Sequence, residues 1–137
     1  MPNPISLRLG EATLDQLTAR AKRSQLAPRT LAQRYIEEGL RHDAHPAIHF
    51  VDGPGGRRAA LLGTGLDVWE AIAIVRDNDG DVAEAAGYVE VPVNVVQAAV
   101  DYYAAYRGEI DELIETNERA VQEAHATWLA GQRAFAA

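Results

Sequence analysis

Apolar and polar positions along the chain alternate in two different rhythms. Ile5-Ser6-Leu7-Arg8-Leu9 alternates with period two, the pattern of a half-buried strand, and Gly10 ends it. Residues 11–24 carry Leu14, Leu17 and Ala21 at spacings of three and four, which predicts an amphipathic helix. Gln25-Leu26-Ala27 reads as a turn. Pro28 suits the first position of a second helix, because its missing N–H would be unpaired there anyway. Residues 28–43 then place Leu31, Tyr35, Ile36, Gly39 and Leu40 on one face.

Proline at 46 stops that helix and opens a second region. Ile48-His49-Phe50-Val51, a turn over Asp52-Gly53-Pro54-Gly55-Gly56, and residues 57–62 predict a β-hairpin. Gly63-Thr64-Gly65 reads as a turn. Residues 66–76 predict a helix with Val68, Trp69, Ile72 and Val75 inward. After the polar loop Asp77-Asn78-Asp79-Gly80 come a short helix, 81–87, stopped at Gly87, and a longer one, 92–106. Val95, Val96, Ala99, Val100 and Tyr103 form the apolar side of the latter, and the pair has helix-turn-helix proportions. The final segment, 108–135, reads as one long helix. Ile110, Ile114, Asn117, Val121, Ala124 and Trp128 recur in it at alternating spacings of four and three, a heptad-like seam. The fold class expected is mainly α with minor β. Three parts are expected: residues 1–43, 44–107 and 108–137.

A five-residue strand and two short helices bury little apolar surface alone, and the strand has no partner within its own segment. Pairing two copies antiparallel across a two-fold axis removes both problems, so a homodimer is expected.

Composition adds limits. The chain has 137 residues, 47% of them hydrophobic, so a packed core is expected. There is no cysteine, which excludes disulfides, thiolate chemistry and Cys-type zinc sites. Apolar runs are too short for a membrane span, and no signal-peptide pattern opens the chain, so the cytoplasm is the expected compartment. The net charge of −7 on its face argues against nucleic acid. It is unevenly spread: residues 1–41 hold seven basic and four acidic residues, net +3, and the rest carries −10. Such asymmetry points to two different partners.

The first 41 residues resemble the ribbon-helix-helix (CopG/Arc/MetJ-like) DNA-binding domain. The residues that carry the likeness are Ile5 to Glu11, the Leu14/Leu17 helix, and Leu26 to Leu40. Residues 45–106 are similar to the DUF433 module of bacterial antitoxins, a winged or helix-turn-helix unit. That likeness rests on His45-Pro46-Ala47-Ile48, Asp52 to Arg58, Gly63-Thr64-Gly65 and Val93 to Tyr106. The combination resembles VapB-like antitoxins, whose partners are PIN-type ribonuclease toxins. The resemblance implies an intermolecular ribbon that enters the major groove of operator DNA and represses transcription.

In that arrangement Ile5, Leu7 and Leu9 point inward and Pro4, Ser6 and Arg8 outward. Arg8 can make a two-pronged contact to guanine, and Ser6 can bond several bases. Pro4 replaces the polar residue usual in the family, and Asn3 can substitute for it. Arg29 and Thr30, in the first turn of helix 28–43, would hold a DNA phosphate together with backbone N–H groups. Ala27 stands where the family usually has a Ser or Thr cap, so Arg29 would carry more of that contact.

The second helix-turn-helix is expected to bind protein or to dimerise. Helix 92–106 offers Asn94, Gln97 and Asp101 but no cation before Arg107, which suits a polyanion poorly. Arg57 and Arg58 are the exception and could touch a phosphate, against the plainer reading of a solvated turn. For the acidic C-terminal helix two expectations stand side by side. Ile110, Ile114, Val121, Trp128 and Phe135 meet the basic cleft of a ribonuclease toxin, or the first four of them pack against the protein's own dimer mate. The wider alternative is a dimeric interaction protein, or a stand-alone regulator without a toxin.

Several signals are set aside. His42, His45 and His49 invite a metal, but Pro46 breaks the helix that would align them, so no metal or other cofactor is expected. Asp77 to Asp81 fails as a calcium loop, since its glycine comes at position four and no glutamate at twelve. The glycine-rich hairpin lacks the Gly-Lys-Ser/Thr ending of a phosphate loop. Trp69 and Tyr88 are expected in the core. No nucleophile-base arrangement points to an enzyme.

Overall fold

A computed structural model describes residues 3–53 and 55–136. The chain is mainly helical with one two-stranded antiparallel sheet, and it divides into two units, residues 1–43 and 44–137.

In the first unit, helices α1 (Glu11–Arg23) and α2 (Pro28–Ala44) follow residues 3–10, which carry no secondary structure in the single chain. The strand expected at Ile5 to Leu9 is therefore not formed within one copy. A strand exists by its ladder of hydrogen bonds, and this segment has no neighbour in its own unit to supply one. Ala21 and Leu31 are the buried side chains of the described residues 3–43. Tyr35, Ile36 and Leu40, expected on the covered face of α2, are 47%, 46% and 64% exposed.

The second unit starts with strands β1 (Ile48–Gly53) and β2 (Gly56–Leu61), paired from Ile48 opposite Leu61 to Gly53 opposite Gly56. The ladder runs closer to the tip than expected, since Gly53 and Gly56 were read as turn. The turn that follows is held by Thr64, whose hydroxyl donates to the Leu61 carbonyl at 2.9 Å and accepts from the Leu66 N–H at 3.0 Å. Gly63 and Gly65 flank it at φ of 76° and 72°, a region that residues with a Cβ rarely enter.

Four helices complete the unit: α3 (Val68–Asp77), α4 (Val82–Val89), α5 (Val93–Ala105) and α6 (Arg107–Ala136). The main core gathers Ile48, Ala59 and Leu61 of the hairpin, Val68, Ala71 and Ile72 of α3, Ala99 and Tyr102 of α5, and Ile110 and Ile114 of α6. A second cluster joins Val75, Ala85, Ala86 and Val96. The largest fully buried side chain is Tyr102, which the periodicity of 92–106 did not select. Its ring meets those of His45 and Phe50 edge-on, at 5.3 and 6.5 Å, and its hydroxyl donates to Glu109 at 2.8 Å.

Helix endings account for two further corrections. Helix α4 does not stop at Gly87 but continues to Val89, and Glu90 takes the left-handed conformation at φ 58°. Gln25 after α1 and Asp79 after α3 do the same at 56° and 55°. In each case the next N–H donates to the carbonyl five residues back: Leu26 to Ala21, Gly80 to Val75 and Val91 to Ala86. This is the Schellman arrangement, which satisfies the last carbonyls of a helix and is usually built on glycine. Tyr88, expected in the core, is 76% exposed on the solvent side of α4.

Candidate nucleic-acid interface

The first unit places the residues expected to meet DNA. Gly10 precedes α1, and its carbonyl accepts the Leu14 N–H at 2.9 Å, so the chain changes from extended segment to helix at that residue. Glu11 lies in the first turn and Arg20, Lys22 and Arg23 in the last, each sign at the end of the helix dipole that favours it. The turn at Gln25 and Leu26 then leads to Pro28 at the start of α2.

Between these elements lies a groove of about 570 Å³. Leu7 and Leu9 of the leading segment line it together with Leu17 of α1 and Tyr35 and Ile36 of α2. Ser6 and Arg8 do not. Of the three residues expected to point inward, Leu7 and Leu9 thus line the groove and Ile5 does not. Coverage by the unit itself is partial, since Leu7 is 56% and Leu9 42% exposed. Ile5 is still more exposed and is not among the lining residues.

Asn3, Ser6 and Arg8 are exposed on the leading segment, and Arg29 and Thr30 are exposed in the first turn of α2. Sequence reading missed Arg20 and Arg23, which line the groove beside Leu17. Their signal was the three-residue spacing from Leu17 to Arg20 and from Arg20 to Arg23, which puts all three along one side of α1.

The hairpin of the second unit pairs its two arginines with carboxylates of the same unit. Arg58 is paired through Nε with Oδ2 of Asp67, and Arg57 with Asp52 at 3.2 Å. Asp67 is buried and also accepts from the Trp69 indole at 3.1 Å. The expectation of a phosphate contact by Arg58 therefore gives way to an internal role. On α5, Gln97 donates to Asp101 at 2.9 Å, so the outer face of that helix shows an amide–carboxylate pair and no cation.

Helix α6 divides at its middle. Ile110 and Ile114 belong to the core of the second unit and are closed to any partner while α6 stays in place. Two of its acidic residues are engaged as well. Asp111 accepts from Tyr103 at 2.7 Å and from Arg76 at 2.5 Å, and Glu109 from Tyr102. The bond from Tyr103, with Arg76 adding to it, lowers the Asp111 carboxyl below its ordinary pKa; Arg76 is raised first by its own bond to the Tyr103 hydroxyl, at 2.7 Å. From Glu115 to Ala136 every residue is exposed, including Val121, Trp128 and Phe135 at 60%, 58% and 94%. Residues 117–136 hold Glu118 and Glu123 against Arg119 and Arg133, so the acidity expected of this end lies nearer the start of the helix.

Among the described residues, no group of three His, Asp or Glu gathers as for a metal, and no helix is long and apolar enough to cross a membrane. Comparison of the chain with protein-family models, with curated proteins and with solved structures returned no match.

Proposed function

We propose that the protein works as a homodimer that binds operator DNA through a two-stranded ribbon and represses transcription. Residues 3–10 of two copies pair antiparallel. Leu7 and Leu9 of each then close over apolar grooves, and the ribbon presents two copies of Ser6 and Arg8, with Asn3 at its end, to the major groove. Arg8 reads guanine through O6 and N7. Arg29 and Thr30 hold a phosphate at the start of α2 and set the register of the protein on the duplex.

The observation that carries this reading is the split of the leading segment. Leu7 and Leu9 line the groove with Leu17, Tyr35 and Ile36, whereas Ser6 and Arg8 stay outside it. A unit of 43 residues whose buried side chains are Ala21 and Leu31 also has little core of its own, and chains near this size usually need a partner. Charge agrees, since the net +3 of residues 1–41 doubles in a dimer while the acidic remainder stays apart in sequence.

Neutralisation of a PIN-type ribonuclease belongs to the same proposal through the resemblance alone. Such a partner would meet the apolar positions Val121, Trp128 and Phe135 more than an acidic surface.

The test is a gel-shift titration with the DNA upstream of the protein's own gene. Sequence-specific binding should weaken steeply with salt, and Arg8→Ala should abolish it while the protein stays dimeric. Specific binding retained by Arg8→Ala would overturn the assignment of the ribbon.

A further inference from the structure

Every residue of α6 from Glu115 to Ala136 is exposed, so the second unit does not cover this half of the helix. Its twenty-odd residues run about 30 Å at 1.5 Å each, and in proteins most helical stability comes from packing of an apolar face rather than from propensity. The stripe that binds the first half to the core through Ile110 and Ile114 nevertheless continues with the same spacing to the end of the helix. Beyond Ile114 it reads Asn117, Val121, Ala124, Trp128, Gly131 and Phe135. Small or polar residues alternate along it with large apolar ones.

We propose that this stripe pairs antiparallel with the same stripe of a second copy, forming a contact separate from the N-terminal ribbon. Size decides the direction. In a parallel pair each layer meets itself, so Trp128 faces Trp128 and Gly131 faces Gly131, and the layers alternate between overfilled and empty. In the antiparallel register that overlaps the whole exposed stripe, each large residue meets a small or polar one. Trp128 lies opposite Ala124 of the second copy, Val121 opposite Gly131, and Phe135 opposite Asn117 at the open end, where water reaches the amide. Knobs then fill holes in every layer.

Charge singles out a second copy over a cationic or anionic partner. The four charged residues of 117–136 cancel, so this half neither repels its copy nor attracts an oppositely charged surface. One flank of the stripe is Ala120, Thr127 and Ala134, all small. The other carries Glu118, His125 and Gln132, and antiparallel pairing sets Glu118 beside the uncharged Gln132 of the second copy and His125 beside its own copy, so no two carboxylates meet. The inference does not depend on DNA binding. A toxin that used the same residues would have to open this pair.

The absence of cysteine makes a direct test available. Thr127 lies next to the two-fold axis of the antiparallel pair, where its two copies approach within disulfide range. The two copies of Asn117 would be about 27 Å apart along the same pair. Under mild oxidation the full-length Thr127→Cys chain should form a covalent dimer, and the full-length Asn117→Cys chain should remain single. Adding Trp128→Glu to Thr127→Cys should reduce the cross-link at least tenfold. All three positions are exposed, and circular dichroism of each variant confirms that the chain is folded. Cross-linking through Asn117→Cys would show parallel pairing and overturn the proposal. No cross-link in either variant, with folding intact, would overturn it too and leave the face to another partner.

Discussion

Arg58 on β2 and Asp67 at the start of α3 form an ion pair that ties the hairpin to the helix following it. Backbone contacts run alongside: Ala60 bridges to Asp67, and the Leu61 N–H donates to Leu66 at 2.8 Å. Asp67 also shares a capping box with Glu70, whose side chain accepts the Asp67 N–H at 3.0 Å. The guanidinium lies over Gly53, where an added Cβ would come within 1.8 Å of Nη1. A glycine at the tip of β1, an arginine across the ladder and an aspartate beyond the next turn thus form one device.

Arg58→Ala should destabilise the second unit by about 2 kcal/mol, because it leaves the buried Asp67 carboxylate with fewer partners. Gly53→Ala should cost less in the same direction by displacing the guanidinium. Urea denaturation followed by Trp69 fluorescence reads both. Under the proposed function, the affinity of Arg58→Ala for operator DNA, measured well below its transition, should match the parent within twofold.

Tyr102 should separate volume from hydrogen bonding. Tyr102→Phe keeps the ring and loses the bond to Glu109, for a cost of about 1 kcal/mol. Tyr102→Ala also empties the centre of the core and should cost about 3–5 kcal/mol. Equal losses in the two variants by calorimetry would show that the ring packs loosely.

The Arg76, Tyr103 and Asp111 cluster gives the second unit an acid-sensitive contact. Asp111 has its carboxyl pKa lowered from 3.8, first by the Tyr103 hydroxyl and then by Arg76. A carboxyl lowered in this way binds protons more weakly in the folded chain than in the unfolded one. Its contribution is therefore complete at pH well above 3.8 and is lost as pH falls below it. Tyr103→Phe should raise the Asp111 midpoint toward the ordinary value in a carboxyl-carbon NMR titration, and an unchanged midpoint would remove Tyr103 as the cause.

The left-handed helix ends predict three stabilising substitutions of unequal size. Gln25→Gly and Glu90→Gly should each gain about 0.5–1 kcal/mol, the relief of strain less the greater freedom of glycine in the unfolded chain. Asp79→Gly should gain less, because aspartate tolerates that conformation better. Thermal melts of the three single variants rank them.

By itself, the sequence determined the local elements. The three-and-four spacing of Leu14, Leu17 and Ala21, the proline at 28 and the alternation of Ile48 to Val51 located two helices and a hairpin strand, because each depends on residues near in the chain. It also marked Leu7 and Leu9 apart from Ser6 and Arg8. Tertiary structure decided what periodicity cannot weigh. Tyr102 and Tyr103 are neighbours on one helix, yet the core closed over the first and left the second in a polar cluster between α3 and α6. Arg58 looked free until the turn at Thr64 brought Asp67 beneath it. Gly87 looked like a helix end, but the Schellman bond from Val91 to Ala86 carried α4 past it to a glutamate. The seam of α6 was legible as one continuous stripe, and only packing showed that the unit covers it as far as Ile114 and no further. A hydrophobic pattern states that a face must be covered. The cover is supplied by residues distant in sequence or by another chain, and the pattern alone does not specify which.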